Sequence, residues 1–558
     1  MAGSTAAVVL RRVGLGFVGA GLLSAAVFAA TQAPVARTGD ALPGQKAPGA
    51  IGNVAGQVPA QHSQALKAPR GPASVAGDAG DWWDANSGKV LAAESAYDDP
   101  LGKVGLRVEG GPLPTAGHPF FTPLGSNGRA CVSCHQPANG MSVSAAALQA
   151  RWQATGGKDP VFAAVDGSNC PSQPRSRRAS HSLLLDKGLF RIFLPWPPKA
   201  ADGSPIKPEF KIEVVRDPTG CNLDPVYGLH SANPMISVFR RPRVAANLRY
   251  VVNEFGDQPR QQGGFNIKTG MPLAVDPDTG LSVTMQLMAD SREPTLRAQA
   301  VDAALSHEQA AQKPTKAQLD QIVDFESRVY AAQAISRRAG DLQAAGGPPG
   351  LGPKAMATAK AGLLGDYLDA PVFQTFEAWE PTAGEPKGEA AAFRASVARG
   401  AKIYMTRTFW IRDAVHLNTI GLGNPIRRTC ATCHNAQMTG MDAAPGWMDI
   451  GTNNLPTADP RPDLPLFRVT CDPDKPPHPF LGRVIYTHDP GRALVSGRCV
   501  DVGSITMQQF RGLAARAPYF ANGSAKDLAA LVDYYDRRFK IHYSPQEKRD
   551  LVNFLSVL

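Results

Sequence analysis

Two widely separated segments of the chain share one pattern of polar and apolar positions. Residues 315–318 and 544–547 both have the S/T-x-x-E/Q sequence of a capping box, in which the first side chain caps the N-terminus of a helix. A matching apolar set lies seven to ten positions after each cap, and it is Ile322, Val323 and Phe325 in the first segment and Leu551, Val552 and Phe554 in the second. Apolar residues three and four positions apart share one helical face. The pattern therefore predicts a capped amphipathic helix in each half of the chain.

A third stripe of apolar positions lies in the second half of the chain. Phe393, Val397, Gly400 and Tyr404 are three or four positions apart and therefore share one helical face. A glycine in such a stripe lets a neighbouring helix approach closely, because it has no side chain. We expect the capped helix that follows residue 544 to be this neighbour.

Shorter apolar runs in the first half predict strands. The sequences FRIFLPW (190–196), FKIEVV (210–215) and ISVFRR (236–241) are rich in β-branched and aromatic residues and are bounded by Pro and Gly. They predict a small β insertion. A segment rich in Gly, Pro and Ala at 340–353 predicts a boundary between domains.

The N-terminal residues have the pattern of an export signal. Arg11 and Arg12 precede an uncharged apolar stretch at 13–30, and small residues follow it. We favour a cleaved signal peptide over residues 1–33, and the alternative is an uncleaved N-terminal anchor. Residues 34–80, rich in Ala, Pro, Gly and Gln, are predicted to be a flexible linker. In both cases we expect the rest of the chain to be exported to the periplasm.

Composition and charge limit the kinds of molecule that the protein is expected to bind. The chain has 558 residues, of which 43% are hydrophobic and 19% charged, and this fits a globular protein of two or more domains. The formal net charge is +10, but the positive residues are scattered. Because no run of Lys and Arg is interleaved with aromatic residues, the sequence argues against binding to nucleic acid.

Four of the eight cysteines lie in two C-x-x-C-H motifs, which are Cys131-Val-Ser-Cys134-His135 and Cys430-Ala-Thr-Cys433-His434. This is the attachment signature of c-type haem, in which the thiols bond the porphyrin and the histidine is the proximal iron ligand. The alternatives are a zinc site and a redox dithiol. The pairs of a zinc ribbon are separated by roughly 15–20 residues, far fewer than here, and no βαβ pattern surrounds either motif. We therefore predict two covalently attached haems.

The other four cysteines are an even number in a chain that we expect to be exported, and this indicates disulfides. Three pairings are open. We favour Cys170–Cys221 and Cys471–Cys499, because each local bridge then lies beside its own haem motif.

Each half of the chain thus has a haem motif followed by a capped amphipathic helix, as a cytochrome c domain does. The sequence predicts a mainly α fold with two such domains. Residues 81–345 form the first domain with its small β insertion, and residues 346–558 form the second.

Three further stretches resemble the bacterial di-haem cytochrome c peroxidase family, which includes MauG. Residues 288–300 are similar to the family's W-D-G-R…L…Q-A segment, 510–512 to L-R-N, and 517–523 to A-P-Y-F-H-D-G. The resemblance covers about residues 118–558. It implies that the N-terminal haem reacts with peroxide and that the six-coordinate C-terminal haem passes electrons.

The resemblance also implies residues on the distal side of the first haem. Gln299 matches the family's distal glutamine, and the distal glutamate falls near Glu308, one position off. A proton must be moved there between the two oxygens of peroxide, which requires an acid–base group. On an unbroken helix His307 lies nearer to the face of Gln299 than Glu308 does. We keep both residues and slightly prefer His307.

The sixth ligand of the second haem is implied by spacing from the P-Y-F motif. The family has a Met or a Tyr twelve residues after the glycine of that motif, and twelve residues after Gly523 is Tyr535. An anionic phenolate would lower the potential of that haem relative to a thioether. Met438, Met441 and Met507 are the alternatives.

The sequence departs from the family at several positions. Ala289 stands where the family has a tryptophan between the haems, and Ala521 replaces the usual histidine after P-Y-F. Ala179 falls at the calcium-binding asparagine, so bound Ca²⁺ is in doubt. His181 lies where the family builds its first haem pocket, although a histidine without a role in binding is the alternative.

Three functions are open. The first is a periplasmic di-haem oxidoreductase that reduces hydrogen peroxide, with electrons from a small redox protein such as a cytochrome c or a cupredoxin. The second is MauG-like or rubber-oxygenase-like oxidation of an organic or protein substrate, which Tyr535 favours. The third is a non-catalytic electron carrier, whose first haem would need a sixth ligand such as Met141, His181 or His307.

Pyridine haemochrome quantitation of the denatured protein should return two covalent haems per chain, since each motif supplies both thiols and one imidazole. A value near one would contradict the interpretation of the two motifs as equivalent attachment sites.

Overall fold

The computed structural model describes residues 81–200, 202–252, 286–358, 376–381, 384, 386–415, 423–434 and 447–558. These residues belong to one compact unit, Arg70–Leu558. The predicted signal peptide or anchor and the predicted linker, residues 1–80, lie outside the described residues. In the part of the chain that the structure describes, no helix is both long and apolar enough to cross a membrane.

The helices are numbered in chain order. They are α1 (Ala145–Thr155), α2 (Ser182–Lys187), α3 (Leu248–Val252), α4 (Leu296–Ser306), α5 (Lys316–Arg328), α6 (Gly352–Thr358), α7 (Glu389–Thr406), α8 (Ala493–Ser496), α9 (Leu528–Phe539) and α10 (Pro545–Leu555).

The two capped helices of the sequence analysis are confirmed as α5 and α10. In α5, Thr315 accepts a hydrogen bond from the backbone N–H of Gln318 at 3.3 Å, and the Gln318 side chain accepts one from Thr315 at 2.8 Å. Ser544 and Glu547 make the same reciprocal pair at the start of α10, at 3.2 and 2.8 Å. The apolar faces of both helices are buried.

Helix α7 packs against α10 at Gly400, as its stripe of apolar residues predicts. A Cβ atom on Gly400 would lie 2.0 Å from the carbonyl oxygen of Asp550 and 2.8 Å from Cβ of Phe554. Arg399 donates to the carboxylate of Asp550 at 2.9 Å beside this contact. The two backbones therefore meet at a distance that only glycine permits.

The strands form several antiparallel sheets. The largest has the order β2 (Glu94–Asp99), β3 (Gly102–Val108), β8 (Val329–Ser336) and β9 (Gly340–Asp341), and a three-stranded sheet has the order β14 (Val484–Thr487), β13 (Leu466–Cys471) and β6 (Phe210–Arg216). Two-stranded sheets pair β1 (Val90–Leu91) with β4 (Leu113–Pro114), β5 (Phe190–Pro195) with β7 (Met235–Arg240), β10 (Phe409–Ile411) with β11 (Ile426–Arg428), and β12 (Trp447–Met448) with β15 (Ile505–Thr506).

The prediction of a mainly α fold is wrong, because antiparallel sheets occur throughout the described part of the chain. The three predicted strand runs do form β5, β6 and β7. Strand β8 escaped prediction for a physical reason. Nearly every residue of its sequence VYAAQAIS is buried, so it shows no alternation of polar and apolar positions.

Strand β6, from the predicted β insertion, belongs to a sheet whose other two strands come from the second half of the chain. Strand β6 pairs with β13, so that Val214 lies opposite Phe467 and Ile212 opposite Val469. These residues bury a shared apolar core on one side of the sheet. The sheet therefore joins segments from both sides of the predicted boundary at residue 345.

The favoured disulfide pairing is present in the structure. Cys170 is bonded to Cys221 and Cys471 to Cys499, with Cα–Cα distances of 5.1 and 5.8 Å. Among the described residues, the cysteines of both C-x-x-C-H motifs take no part in a disulfide.

Substitution Gly400→Ala should destabilise the protein by about 1–3 kcal/mol, because the added methyl group forces α7 away from α10. Helix propensity alone predicts the opposite, a gain of up to about 1 kcal/mol. The free energy of unfolding, measured in denaturant, distinguishes the two.

The matched control is Ala392→Gly on the exposed face of α7. There propensity alone acts, and the change from Ala to Gly should cost about 1 kcal/mol. If Gly400→Ala is as stable as the unchanged protein, the close contact does not constrain the two helices.

Candidate functional site

The first C-x-x-C-H motif forms a short helical turn over residues 131–133, closed by a hydrogen bond of 3.0 Å from the N–H of His135 to the carbonyl of Cys131. The Nδ1 atom of His135 lies 3.2 Å from the carbonyl oxygen of Met141. Because a carbonyl only accepts, Nδ1 carries the proton and Nε2 keeps its lone pair. Burial lowers the pKa of His135 to about 4, so the ring is neutral, as a metal ligand must be.

A cavity with about 1060 Å³ of empty space opens beside His135 and Cys134. Helix α4 contributes one face to it, formed by Gln299, Ala303 and His307 at successive intervals of four residues. The structure thus brings together His135, Gln299 and His307 on one cavity.

His307 is held by a buried carboxylate that the sequence did not indicate. Its Nδ1 atom lies 2.6 Å from Oδ2 of Asp166, and Asp166 is in turn paired with Arg129. Burial opposes ionisation of Asp166, but Arg129 and His307 outweigh it and lower the pKa of the carboxyl below its usual value. The carboxylate therefore keeps the proton on Nδ1 of His307 and leaves Nε2 as the basic nitrogen.

Glu308, the other candidate for the distal acid–base group, does not line this cavity. Helix α4 ends at Ser306, and Gln309 has a φ of 56°, so the chain turns away. Glu308 accepts a hydrogen bond from the N–H of Leu124 at 2.9 Å and lies 3.4 Å from Sγ of Cys131. Burial raises the pKa of Glu308 to about 7.

Of the three side chains considered as a sixth ligand to the first haem, only His307 lines the cavity. Met141 is buried in the adjoining apolar core, and His181 is buried between the rings of Trp152 and Phe162. Met288 also lines the cavity and was not identified from the sequence.

The second motif forms the same turn, closed by a hydrogen bond of 3.0 Å from the N–H of His434 to the carbonyl of Cys430. It adjoins a separate cavity with about 1440 Å³ of empty space. The hydroxyl of Tyr404, on α7, donates to the carbonyl of His434 at 2.6 Å. The contact between α7 and α10 thus supports this motif.

Tyr535 projects from α9 into the second cavity and faces the imidazole of His434. Its hydroxyl oxygen lies 3.1 Å from Nε2 of His434. Met507 also lines this cavity, whereas Met438 and Met441 lie outside the described residues. The two thiols, the imidazole and the phenol are the donor types of a c-type haem with a His/Tyr-coordinated iron. The 3.1 Å between Nε2 and the hydroxyl oxygen is a direct hydrogen-bond distance, so the two side chains would have to move apart to admit an iron atom.

Two of the three positions that differ from the family's motifs line these cavities. Ala289 lines the first, where its carbonyl accepts a hydrogen bond from Thr506 at 2.8 Å, and Ala521 lines the second. The carbonyl of Ala179 accepts a hydrogen bond from Asn169 at 3.2 Å. Within the described ranges, no group of three or more His, Cys, Asp or Glu side chains is arranged to hold a metal ion.

Comparisons with known proteins give a distant structural neighbour. No protein-family profile matches the chain, and no curated protein does. A solved structure described as a MauG-like protein associated with microbial copper homeostasis is 15% identical in sequence, with a TM-score of 0.27, over 57% of this chain and 89% of that chain. A likeness of this degree assigns no function.

If Tyr535 is the sixth ligand of the second haem, Tyr535→Phe should convert that haem from low spin to high spin, because a phenyl ring has no donor atom. Tyr535→Met should keep it low-spin and raise its potential, since a neutral thioether favours ferrous iron. EPR of the oxidised protein measures both outcomes, and the signal of the first haem should change little.

The controls are Met438→Leu, Met441→Leu and Met507→Leu, which should leave the low-spin signal intact. A low-spin signal that survives Tyr535→Phe and disappears in one of the Met variants would assign that methionine as the ligand.

Proposed function

We propose that this protein is a periplasmic di-haem oxidoreductase that reduces hydrogen peroxide at its first haem. The observation that carries the proposal is the pairing of His307 with Asp166 on the wall of the cavity beside His135. A basic nitrogen held by a buried carboxylate is the acid–base group that cleavage of peroxide requires.

The side chains that would bind iron in each cavity determine the proposed role of that cavity. His135 would hold the iron of the first haem, and His434 with Tyr535 would hold the second. When bound, the haems supply iron centres that exchange single electrons. Two electrons and two protons convert hydrogen peroxide to two molecules of water, and a small redox protein such as a cytochrome c or a cupredoxin would supply the electrons.

His307 would move the proton. Its Nε2 atom takes a proton from one oxygen of hydrogen peroxide and returns it to the other, which then leaves as water. Asp166 acts through His307, because it fixes the tautomer and stabilises the charged ring while the proton is held. Gln299, on the same face of α4, would orient the peroxide by hydrogen bonding from its amide.

Oxidation of an organic or protein substrate is the second candidate, and an adjoining cavity favours it. This outer cavity has about 1160 Å³ of empty space and shares Ile192, Arg292 and His307 with the first cavity. Phe193 and Trp196 contribute aromatic side chains to its wall. A molecule larger than peroxide would thus have room beside the same acid–base group.

The spin state of the first haem distinguishes a non-catalytic electron carrier from an enzyme. In a carrier, His307 or Met288 would bind that iron and the oxidised protein would give two low-spin EPR signals. A high-spin signal supports the enzyme.

His307→Gln should lower kcat/KM for peroxide by about 10²- to 10⁴-fold, the usual contribution of a general acid–base group. Asp166→Asn should cause a smaller loss, because the imidazole remains but its tautomer is no longer fixed. Steady-state assays with a reduced c-type cytochrome measure both.

Glu308→Gln is the comparison that separates the two distal candidates, and it should change kcat/KM much less than His307→Gln does. The haem absorbance of each variant checks that the site is intact. A large loss in Glu308→Gln together with little change in His307→Gln would assign the proton transfer to Glu308.

A further inference from the structure

Three arginines lie between the two cavities. Arg241 lines both of them, Arg243 lines the first and Arg516 lines the second. Arg241 and Arg516 are each only 7% exposed, and Arg243 is partly buried. The two cavities therefore share a wall that carries three guanidinium groups.

The hydrogen bonds of these arginines go to uncharged oxygens. Arg241 donates to the carbonyls of Val143, Arg516 and Lys187 at 2.6, 2.8 and 3.1 Å. Arg516 donates to the carbonyls of Arg511 and Gln509. Arg243 donates to the carbonyl and hydroxyl of Thr506 and to the carbonyl of Met507.

Some buried arginines elsewhere in the chain are paired with carboxylates, whereas Arg191 donates to the carbonyl of Val165 and the hydroxyl of Ser237. Arg240 is bonded to both Asp290 and Asp489, and Arg129 is bonded to Asp166. In the part of the chain that the structure describes, Arg241, Arg243 and Arg516 have no such ion pair. The carboxylate that acts on Arg243 electrostatically, Asp290, is already bonded to Arg240 and Arg292.

The three guanidinium groups keep their charge despite burial. Burial and the repulsion from Arg516 lower the pKa of Arg241 to about 9 and that of Arg243 to about 10. Burial lowers the pKa of Arg516 to about 10, and the neighbouring Tyr519 opposes this change. At neutral pH the wall carries positive charge, and buried charge without a counter-charge is strongly unfavourable.

We infer that Arg241, Arg243 and Arg516 bind the carboxylates of the two haems and that, through Arg241, one positive group raises the reduction potentials of both. This inference rests on the proposed function. Each haem carries two propionate carboxylates, which are the anions that a guanidinium binds best. A positive charge near an iron favours the ferrous state, which carries one positive charge fewer than the ferric state.

The position of each arginine predicts which haem changes its reduction potential when that arginine is replaced. Arg243→Gln should lower the potential of the first haem, Arg516→Gln that of the second, and Arg241→Gln both. At about 10 Å and an effective dielectric constant of about 20, loss of one charge changes the equilibrium constant for reduction by about tenfold. This corresponds to about 59 mV for one electron, which a spectroelectrochemical titration measures.

Two further variants test whether charge causes the shift. Arg241→Lys keeps the positive charge and should shift both potentials less than Arg241→Gln does. Arg537→Gln, whose side chain is 60% exposed and paired with Asp459 at the surface, should shift neither. If Arg241→Gln fails to fold, Arg243→Gln and Arg516→Gln still test the inference, because each should lower the potential of one haem and leave the other nearly unchanged.

Carboxylate ions from solution are the other ligands that these three arginines would bind. If the propionates occupy the wall, sodium acetate at constant ionic strength should leave both potentials of the unchanged protein as they are. Potentials that shift with acetate concentration would overturn the inference, and so would potentials that are unchanged in all three Gln variants. Haem quantitation on each sample distinguishes failure of this inference from failure of the proposed function. A protein without covalent haem would overturn the proposed function.

Discussion

Arg240 joins the segments that enclose the first cavity. From the end of β7, its guanidinium donates to both carboxylate oxygens of Asp489 at 2.6 and 2.9 Å and to Asp290 at 2.5 Å. Asp290 leads into α4, which carries Gln299. Removing one partner of such a buried ion pair costs about 3–5 kcal/mol, because the other charge is left without compensation. The position of the segment that leads into α4 relative to β7 therefore depends on buried charge.

The two cavities begin with the same turn and differ in what faces the imidazole. In the second, the hydroxyl of Tyr535 lies 3.1 Å from Nε2 of His434, and both side chains would hold the iron of a bound haem. In the first, His307 lies on the wall with its own Nδ1 bound to Asp166. One cavity thus sets a phenol against its histidine, and the other places a carboxylate-bound imidazole on its wall. This contrast is the physical basis for proposing different tasks for the two sites.

Local patterns predicted local features well. The capping boxes, the attachment motifs and the close approach at Gly400 depend on spacing within one or two turns, and the structure contains each helix and the close contact. The pairing of His307 with Asp166 spans 141 residues, and no spacing rule connects them. Strand β8 was missed because burial on both faces removes the alternation that identifies a strand. Prediction failed where tertiary packing, rather than sequence periodicity, determines the environment of a residue.

The bond between Arg240 and Asp489 spans 249 residues. A fragment that ends at the predicted domain boundary, residue 345, would therefore leave Arg240 with Asp290 but without Asp489. It would also lack Gln508 and Gln509, which line the first cavity. The first half of the chain is thus not a unit that can be cut out with its cavity intact.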